Sequence, residues 1–401
     1  MTAVADPAAS RGRTRAAHGT TALVLCAMAA NFTPTPLYPR YQDAWSLSAS
    51  QVSLVFSAYA VGVLIVLISL GGLSDRIGRL PTLRGAAVVV LLSLVVLAAA
   101  PSFEVLLAGR LLQGLGTGVV ASAGAAAMLD FHPRGVRAGS AQFTLVISCG
   151  IALGPLLAGL VASELPRPLV TPYVVIGLLT FASAAVLPLS SIKEPRQQGQ
   201  RLVQPIRVPR SLWLAFAPAA TAVTSTNVAF GAIGSFGPEI AEGVGWTSSA
   251  AAGGLVSAML AAVAAAQLLG RPVPVRVGLV AGCAAGATGW SLLLVAVHTG
   301  AVVAAGLGAL VLGTGAGLAL LCSAALVGSI APVDRRAEIQ AAYFAVAFLA
   351  VATSSLALGP VVHGASLHAA MVVALVADAV LAVVTTALLV RSRTGGRHAA
   401  R

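Results

Sequence analysis

The chain has 401 residues, 58% of them hydrophobic and 9% charged, against about 25% charged in soluble domains. Mean hydropathy is +0.94, and runs such as 61–70 (VGVLIVLISL) and 85–100 (GAAVVVLLSLVVLAAA) approach, with their neighbours, the roughly 20 residues that cross a bilayer as a helix. A soluble fold is excluded, and so is a membrane β-barrel, whose strands alternate apolar and polar residues over about ten positions.

Taken in chain order, the hydropathy pattern predicts an all-α polytopic membrane protein with twelve transmembrane helices. The spans fall at 19–39, 51–71, 82–101, 104–128, 138–162, 170–190, 211–236, 247–269, 275–297, 300–329, 337–362 and 367–391. A polar, arginine-bearing stretch, 191–210, separates two six-helix bundles at 19–190 and 211–391, flanked by tails at 1–18 and 392–401. The first span has the basic start and small residues of a secretory signal. The internal repeat described below needs it as the counterpart of the seventh span, so it is expected to be retained.

The net charge of +12 does not point to nucleic acid, because the arginines lie in short connections and form no basic patch interleaved with aromatics. Their placement sets orientation instead. With both termini in the cytoplasm, the far side holds Arg40 and Arg167, Arg110 lies within a span, and the other 21 of 24 Lys and Arg face the cytoplasm. A single lysine, Lys193, in a chain rich in Ala, Val, Gly and Arg suggests a GC-rich bacterial genome. The location expected is a bacterial cell membrane.

The two halves repeat each other. DAWSLSASQ follows span 1 and GVGWTSSAA follows span 7, each with a Trp (Trp45, Trp246) before small polar residues. GRLPTLR at 78–84 pairs with GRPVPVR at 270–276. GTG recurs at 116–118 and 313–315, and ALGP at 152–155 and 357–360. Parallel repeats of this kind are one way transporters build alternating access around a central site.

Three motifs carry chemistry. Between spans 2 and 3 stands GGLSDRIGRL, with Gly71, Leu73, Asp75, Arg76, Gly78 and Arg79. Span 4 carries RLLQGLGTG, with Arg110, Gln113, Gly114, Gly116 and Gly118. Span 5 carries GIALGPLLAG, with Gly150, Gly154, Pro155 and Gly159. On these motifs, in this order, the chain resembles the major facilitator superfamily over essentially its whole length. The span 5 pattern resembles that of the bacterial drug/metabolite:proton antiporter branch. Leu80 departs from the loop signature, where a basic residue is usual, and Ala158 from the span 5 pattern, where a second glycine is usual.

In the loop, Asp75 is placed to pair with the arginines or with a neighbouring helix N-terminus, as a cytoplasmic latch made in one state and broken in another. The plainer reading is a solvated loop that only sets orientation. An arginine within a span costs about 2.5–3.5 kcal/mol on insertion scales, so Arg110 either faces a polar cavity beside Gln113, one turn away, or snorkels to the interface. The small-xxx-small spacing of the glycines allows close helix approach, as static packing or as a hinge, and Pro155 removes a backbone hydrogen bond. The neutral polar residues Asn31, Thr33 and Tyr38 of span 1, Asn227 of span 7, Gln142 and Gln340 are candidate cavity-lining groups. Asp378 is the one acid deep within a span. Its place in span 12, peripheral in the resembling fold, favours a structural hydrogen bond over a proton site.

No enzyme motif (GxSxG, HExxH or a phosphate loop) appears. Cys26, Cys149, Cys283 and Cys322 lie in apolar runs without metal-ligand spacing, so neither a metal nor a cofactor is expected. The resemblance implies a monomeric secondary transporter whose partners are a small-molecule substrate, protons and the lipid bilayer. Its expected activity is proton-coupled efflux of a drug-like or amphipathic compound. Metabolite uptake by symport or uniport on the same fold, and a non-transporting sensor or scaffold, are the alternatives.

Overall fold

The computed structural model describes residues 7–187, 206–332 and 335–398; most of the stretch expected at 191–210 and the outermost ends of both tails lie outside these residues. The helices are α1 (Pro7–Phe32), α2 (Tyr38–Trp45), α3 (Ala49–Ser69), α4 (Leu73–Ile77), α5 (Arg79–Ala98), α6 (Phe103–Phe131) and α7 (Val136–Glu164). They continue with α8 (Thr171–Ala185), α9 (Trp213–Gly243), α10 (Ser249–Leu269), α11 (Val275–Thr299), α12 (Val302–Ile330), α13 (Arg336–Gly364) and α14 (Leu367–His398). No strand occurs among the described residues. All but α2 and α4 correspond to the twelve predicted spans, and among the described residues nine helices are long and apolar enough by themselves to cross a membrane. The exception in register is span 1, predicted to reach 39. Its helix stops at Phe32, and Pro34 and Pro36, which lack an N–H donor, divert the chain through a 3-10 turn, Thr35–Leu37, into α2.

Large apolar side chains stand exposed along the outer helix faces. Val88, Val95, Phe181, Val303 and Val383 are each more than 60% exposed. Such a surface is compatible with lipid and not with water.

The sequence repeats have structural causes. Ser48 caps α3 in a reciprocal capping box with Gln51 (Ser48 N–H to Gln51 Oε1, 2.9 Å; Gln51 N–H to Ser48 Oγ, 3.3 Å). Ser248 caps α10 by accepting from the Ala251 N–H at 3.1 Å. Gly114 and Gly118 of α6 lie against the backbone of α3 at Tyr59 and Val63, and Gly313 and Gly317 of α12 lie against that of α10 at Met259 and Val263. A side chain at any of these positions would meet backbone, so the small residues set the helix separation in both halves. Gly78, at φ 101°, makes the turn between α4 and α5 that an L side chain rarely adopts.

The halves join chiefly through two antiparallel helix pairs, α7 with α10 and α3 with α13. Exchanging the halves exchanges these pairs. One buried apolar cluster runs through both halves, from Leu23 of α1 to Leu358 of α13. The start of α9, the end of α12 and the start of α13 carry a separate cluster around Val223, Val327, Ile339 and Tyr343. The end of the molecule where α1 begins and α14 finishes is called proximal below, and the opposite end distal.

Candidate functional site

The distal end is shut by direct contact between the halves. Gly159 of α7 lies against the backbone of Ser249, and Gly253 of α10 against the backbone of Pro155, with no room for a Cβ at either position. Arg40, in α2, donates from Nε to Ser249 Oγ (2.9 Å) and from Nη2 to the Ala162 carbonyl (3.4 Å). The Ala250 N–H donates to Ser163 Oγ (3.0 Å), and Thr35 Oγ1 donates to the Gly234 carbonyl (3.0 Å). On the second seam, Ser355 donates to the Ser53 carbonyl at 3.2 Å.

Glu239 belongs to the same closure. It lies past the seventh predicted span, near the distal end of α9, and accepts from Gln42 Nε2 of the other half at 3.1 Å. Burial pushes its carboxyl up to about 7; the Gln42 hydrogen bond opposes the shift and the nearby Glu242 adds to it. Glu242 in turn faces Asp43, and Arg40 is engaged elsewhere, so no cation among the described residues forms an ion pair with Glu239. Opening the distal end would return this carboxyl toward the ordinary glutamate value of about 4.3. Closure is therefore expected to be strongest in acid, to weaken as pH rises from about 4 to about 7, and to change no further above that. Energy transfer between dyes on Glu164→Cys and Thr247→Cys, with the native cysteines replaced, is expected to report this opening. Glu239→Gln should flatten the pH response.

Towards the proximal end, below the Ser148–Gln267 contact (3.4 Å), lies a cleft of about 520 Å³, lined by Arg134 just before α7, by Arg137 and the first turns of α7, and by Arg271 from the turn after α10.

The loop signature is drawn together by Arg79. Its Nη1 donates to Asp75 Oδ1 (2.5 Å) and to Ser74 Oγ (2.7 Å), and its Nε donates to Asp130 Oδ2 (2.9 Å). The cluster thus pins α4 to the end of α6 within the first half. Gly71 and Leu73 are half-buried and Arg76 is exposed. Leu80, the departure from the signature, is fully buried.

Arg110 is completely buried, and so is Gln113. Arg110 Nη1 donates to the Asn31 carbonyl (2.9 Å) and to Gln113 Oε1, and Nε donates to the Val55 carbonyl (3.4 Å). The guanidinium carbon lies 5.0 Å from the Tyr59 ring centroid and 5.9 Å from that of Phe56. Gln113 Nε2 donates to the Ala30 carbonyl at 2.9 Å. The arginine therefore neither snorkels nor stands on an open wall in this conformation. It ties α6 to α1 and α3. Three buried polar atoms in this cluster have no partner within hydrogen-bond geometry: Arg110 Nη2, Asn31 Oδ1 and the Tyr38 hydroxyl.

The remaining candidates are dispersed. Thr33 donates to the Ala29 carbonyl (3.0 Å) and Asn227 to the Val223 carbonyl (2.6 Å), both buried within their own chain segments. Gln142 reaches Thr21 of α1 at 3.3 Å, and Gln340 is half-buried on the first turns of α13. These groups do not share one surface in this conformation, and each of Thr33, Asn227 and Gln142 is hydrogen-bonded within its own half. Asp378 is buried against Gly286 of α11 and accepts from Ser225 of α9. The span 5 motif divides: Gly150 and Gly154 pack on α1 at Leu25 and Ala29, whereas Gly159 packs on the opposite half. Sequence reasoning missed Arg40, Gln42, Asp130 and Glu239. The available signals were an acid at each of two helix ends, facing arginine-rich or polar connections.

Two six-helix bundles, joined along two seams at one end and with a cleft between them at the other, define the architecture of a transporter. The chain belongs to the Major Facilitator Superfamily, whose sequence profile matches residues 20–355. It is 29% identical over 164 residues to the class C tetracycline resistance protein of Escherichia coli, covering 39% of this chain and 40% of that one. It is 24% identical over 197 residues to the quinolone resistance protein NorA of Staphylococcus aureus (strain MRSA252), covering 49% and 50%. The matches thus span half or less of these relatives' lengths. Among solved structures it is similar to a bacterial homologue of the human lysosomal transporter Spinster in an inward-facing, unoccupied conformation. The TM-score is 0.75 at 14% identity, over 94% of this chain and 97% of that one.

Proposed function

We propose that this transporter exports a drug-like or amphipathic compound from a bacterial cell in exchange for protons, with its proximal end in the cytoplasm. The observation that carries this reading is the asymmetry of the two ends. The distal seams are closed by glycine-to-backbone contact, whereas the proximal end carries a cleft lined by residues of both halves. That is one of the two states alternating access requires. Outward movement is favoured by the resistance proteins among its relatives. Exchange for protons is favoured by Glu239, whose protonation is linked to distal closure.

The unpartnered atoms of Arg110, Asn31 and Tyr38 mark where cargo or water meets the first half, since a buried polar atom left alone costs about 1–3 kcal/mol. The Arg79 cluster is the proximal latch. Its pairs lie at the end of the bundle, with Asp130 about half exposed and Asp75 less so. A surface pair is worth about 0.2–1 kcal/mol, so Asp130→Asn, and Asp75→Asn with a somewhat larger cost, should leave expression and insertion near normal. Each should still slow transport several-fold; wild-type turnover in both variants would sink the latch. The direct test of the function uses proteoliposomes with an imposed pH gradient, a trapped pH dye and a panel of neutral, anionic and cationic compounds. Proton movement opposite to a compound's own movement is expected. Compound flux without proton flux would replace exchange with uniport.

A further inference from the structure

Resting on the transporter reading, we infer that the proximal cleft is a capture site for amphipathic anions, and that the cargo carries a carboxylate, sulfonate or phosphate group. The cleft of about 520 Å³ is wide enough for a small molecule, and three arginines converge on it. Arg134 and Arg137 come from the first half, and Arg271 from the second. The other lining residues, Ala138, Ser140, Ala141 and Thr144, bring no carboxylate. None of the three arginines forms an ion pair among the described residues.

The rule that cytoplasmic connections are basic accounts for the sign of the charge at this end. It does not account for three guanidinium groups, none in an ion pair among the described residues, lining one cleft between two moving bodies. A cleft with low-dielectric walls and one sign of charge focuses its field and raises the local concentration of the opposite charge by about 10- to 1,000-fold. Guanidinium groups also bind carboxylates and phosphates in a forked, two-bond geometry. Because the arginines sit on opposite halves, a bound anion offsets their mutual repulsion as the proximal ends approach. A cation entering the same mouth is repelled. The cleft thus selects cargo by charge before it reaches the buried Arg110 cluster.

The test titrates the purified full-length protein, in nanodiscs of phosphatidylcholine alone, with carboxyfluorescein as an anion and tetramethylrhodamine ethyl ester as a cation, following fluorescence anisotropy. Carboxyfluorescein should bind the wild type, and more weakly at about 300 mM salt than at about 20 mM. The double variant R137Q/R271Q should lose about ten-fold or more in affinity, with R137K/R271K within about three-fold of wild type and the cation little changed throughout. These arginines are exposed, so the variants should fold. Equal carboxyfluorescein affinity in wild type and R137Q/R271Q, or a wild-type preference for the cation, overturns the proposal.

Discs containing phosphatidylglycerol separate two sources of the anion. Competition by the lipid assigns the cleft to lipid headgroups, and undiminished carboxyfluorescein binding assigns it to soluble anions. Because the readout is binding, its failure is separable from that of the export reading. Charge-selective binding without compound flux in proteoliposomes sinks export alone, and flux with charge-blind binding sinks the cleft alone.

Discussion

Gly159→Val and Gly253→Val are each expected to force the distal end open and abolish transport while leaving both bundles folded. At each position the added Cβ would meet the backbone of the opposite half, at Ser249 or Pro155, and not the far end of a flexible side chain. Nothing local can yield, so α7 and α10 must separate. Overpacking of this kind costs about 1–3 kcal/mol. Applied to one of two states, that moves the equilibrium between them by about 5- to 150-fold. The dye pair at residues 164 and 247 should report a longer distance in both variants. Gly154→Val provides the contrast: its Cβ meets Ala29 of the same half, so it should lower thermal stability without lengthening that distance. Wild-type distance and turnover in Gly159→Val would show that the seam does not move.

This division of one motif illustrates what the sequence held and what it did not. Gly150, Gly154 and Gly159 share one helix at intervals of four and five residues, and nothing in their order says which helix each touches. The span boundaries were legible because apolar length and interrupting arginines report on the bilayer directly. The repeats around Trp45 and Trp246 were legible too, and their physical cause is helix capping by Ser48 and Ser248. The break after Phe32 was present in the paired prolines but was outweighed by hydropathy.

What stayed hidden depends on contacts remote in sequence. Arg79 meets Asp130 across 51 positions, and Arg40 reaches Ser249 across 209. Composition had marked Arg40 only as a charge on the far side, whereas the fold uses it to hold the distal seam. The burial of Arg110 was likewise beyond the sequence. A costly arginine is as compatible with a cavity as with the carbonyls of Asn31 and Val55 that it finds.

Replacing Arg110 by lysine should be among the most damaging conservative changes in the chain, with transport lowered about 100-fold or more. The guanidinium spends its planar fork on the Asn31 carbonyl, Gln113 and the Val55 carbonyl, and its face on Tyr59. An ammonium group is a point charge and cannot reproduce that fork. Hydrogen bonds to charged groups contribute about 1.5–3 kcal/mol each, so losing one or two should also lower the melting temperature in detergent. Stability and function must therefore be read apart, and Tyr38 allows it. Its hydroxyl is buried beside the Arg110 guanidinium with no partner in good hydrogen-bond geometry, so Tyr38→Phe gives up little and should melt close to the wild-type temperature. If the unpartnered atoms face cargo, Tyr38→Phe should still slow transport by about ten-fold, the size of one lost hydrogen bond. Wild-type transport in Tyr38→Phe, together with slow transport in Arg110→Lys that tracks its lower melting temperature, would make the cluster a packing device. Loss of transport in both at unequal stability would place the cargo beside Arg110.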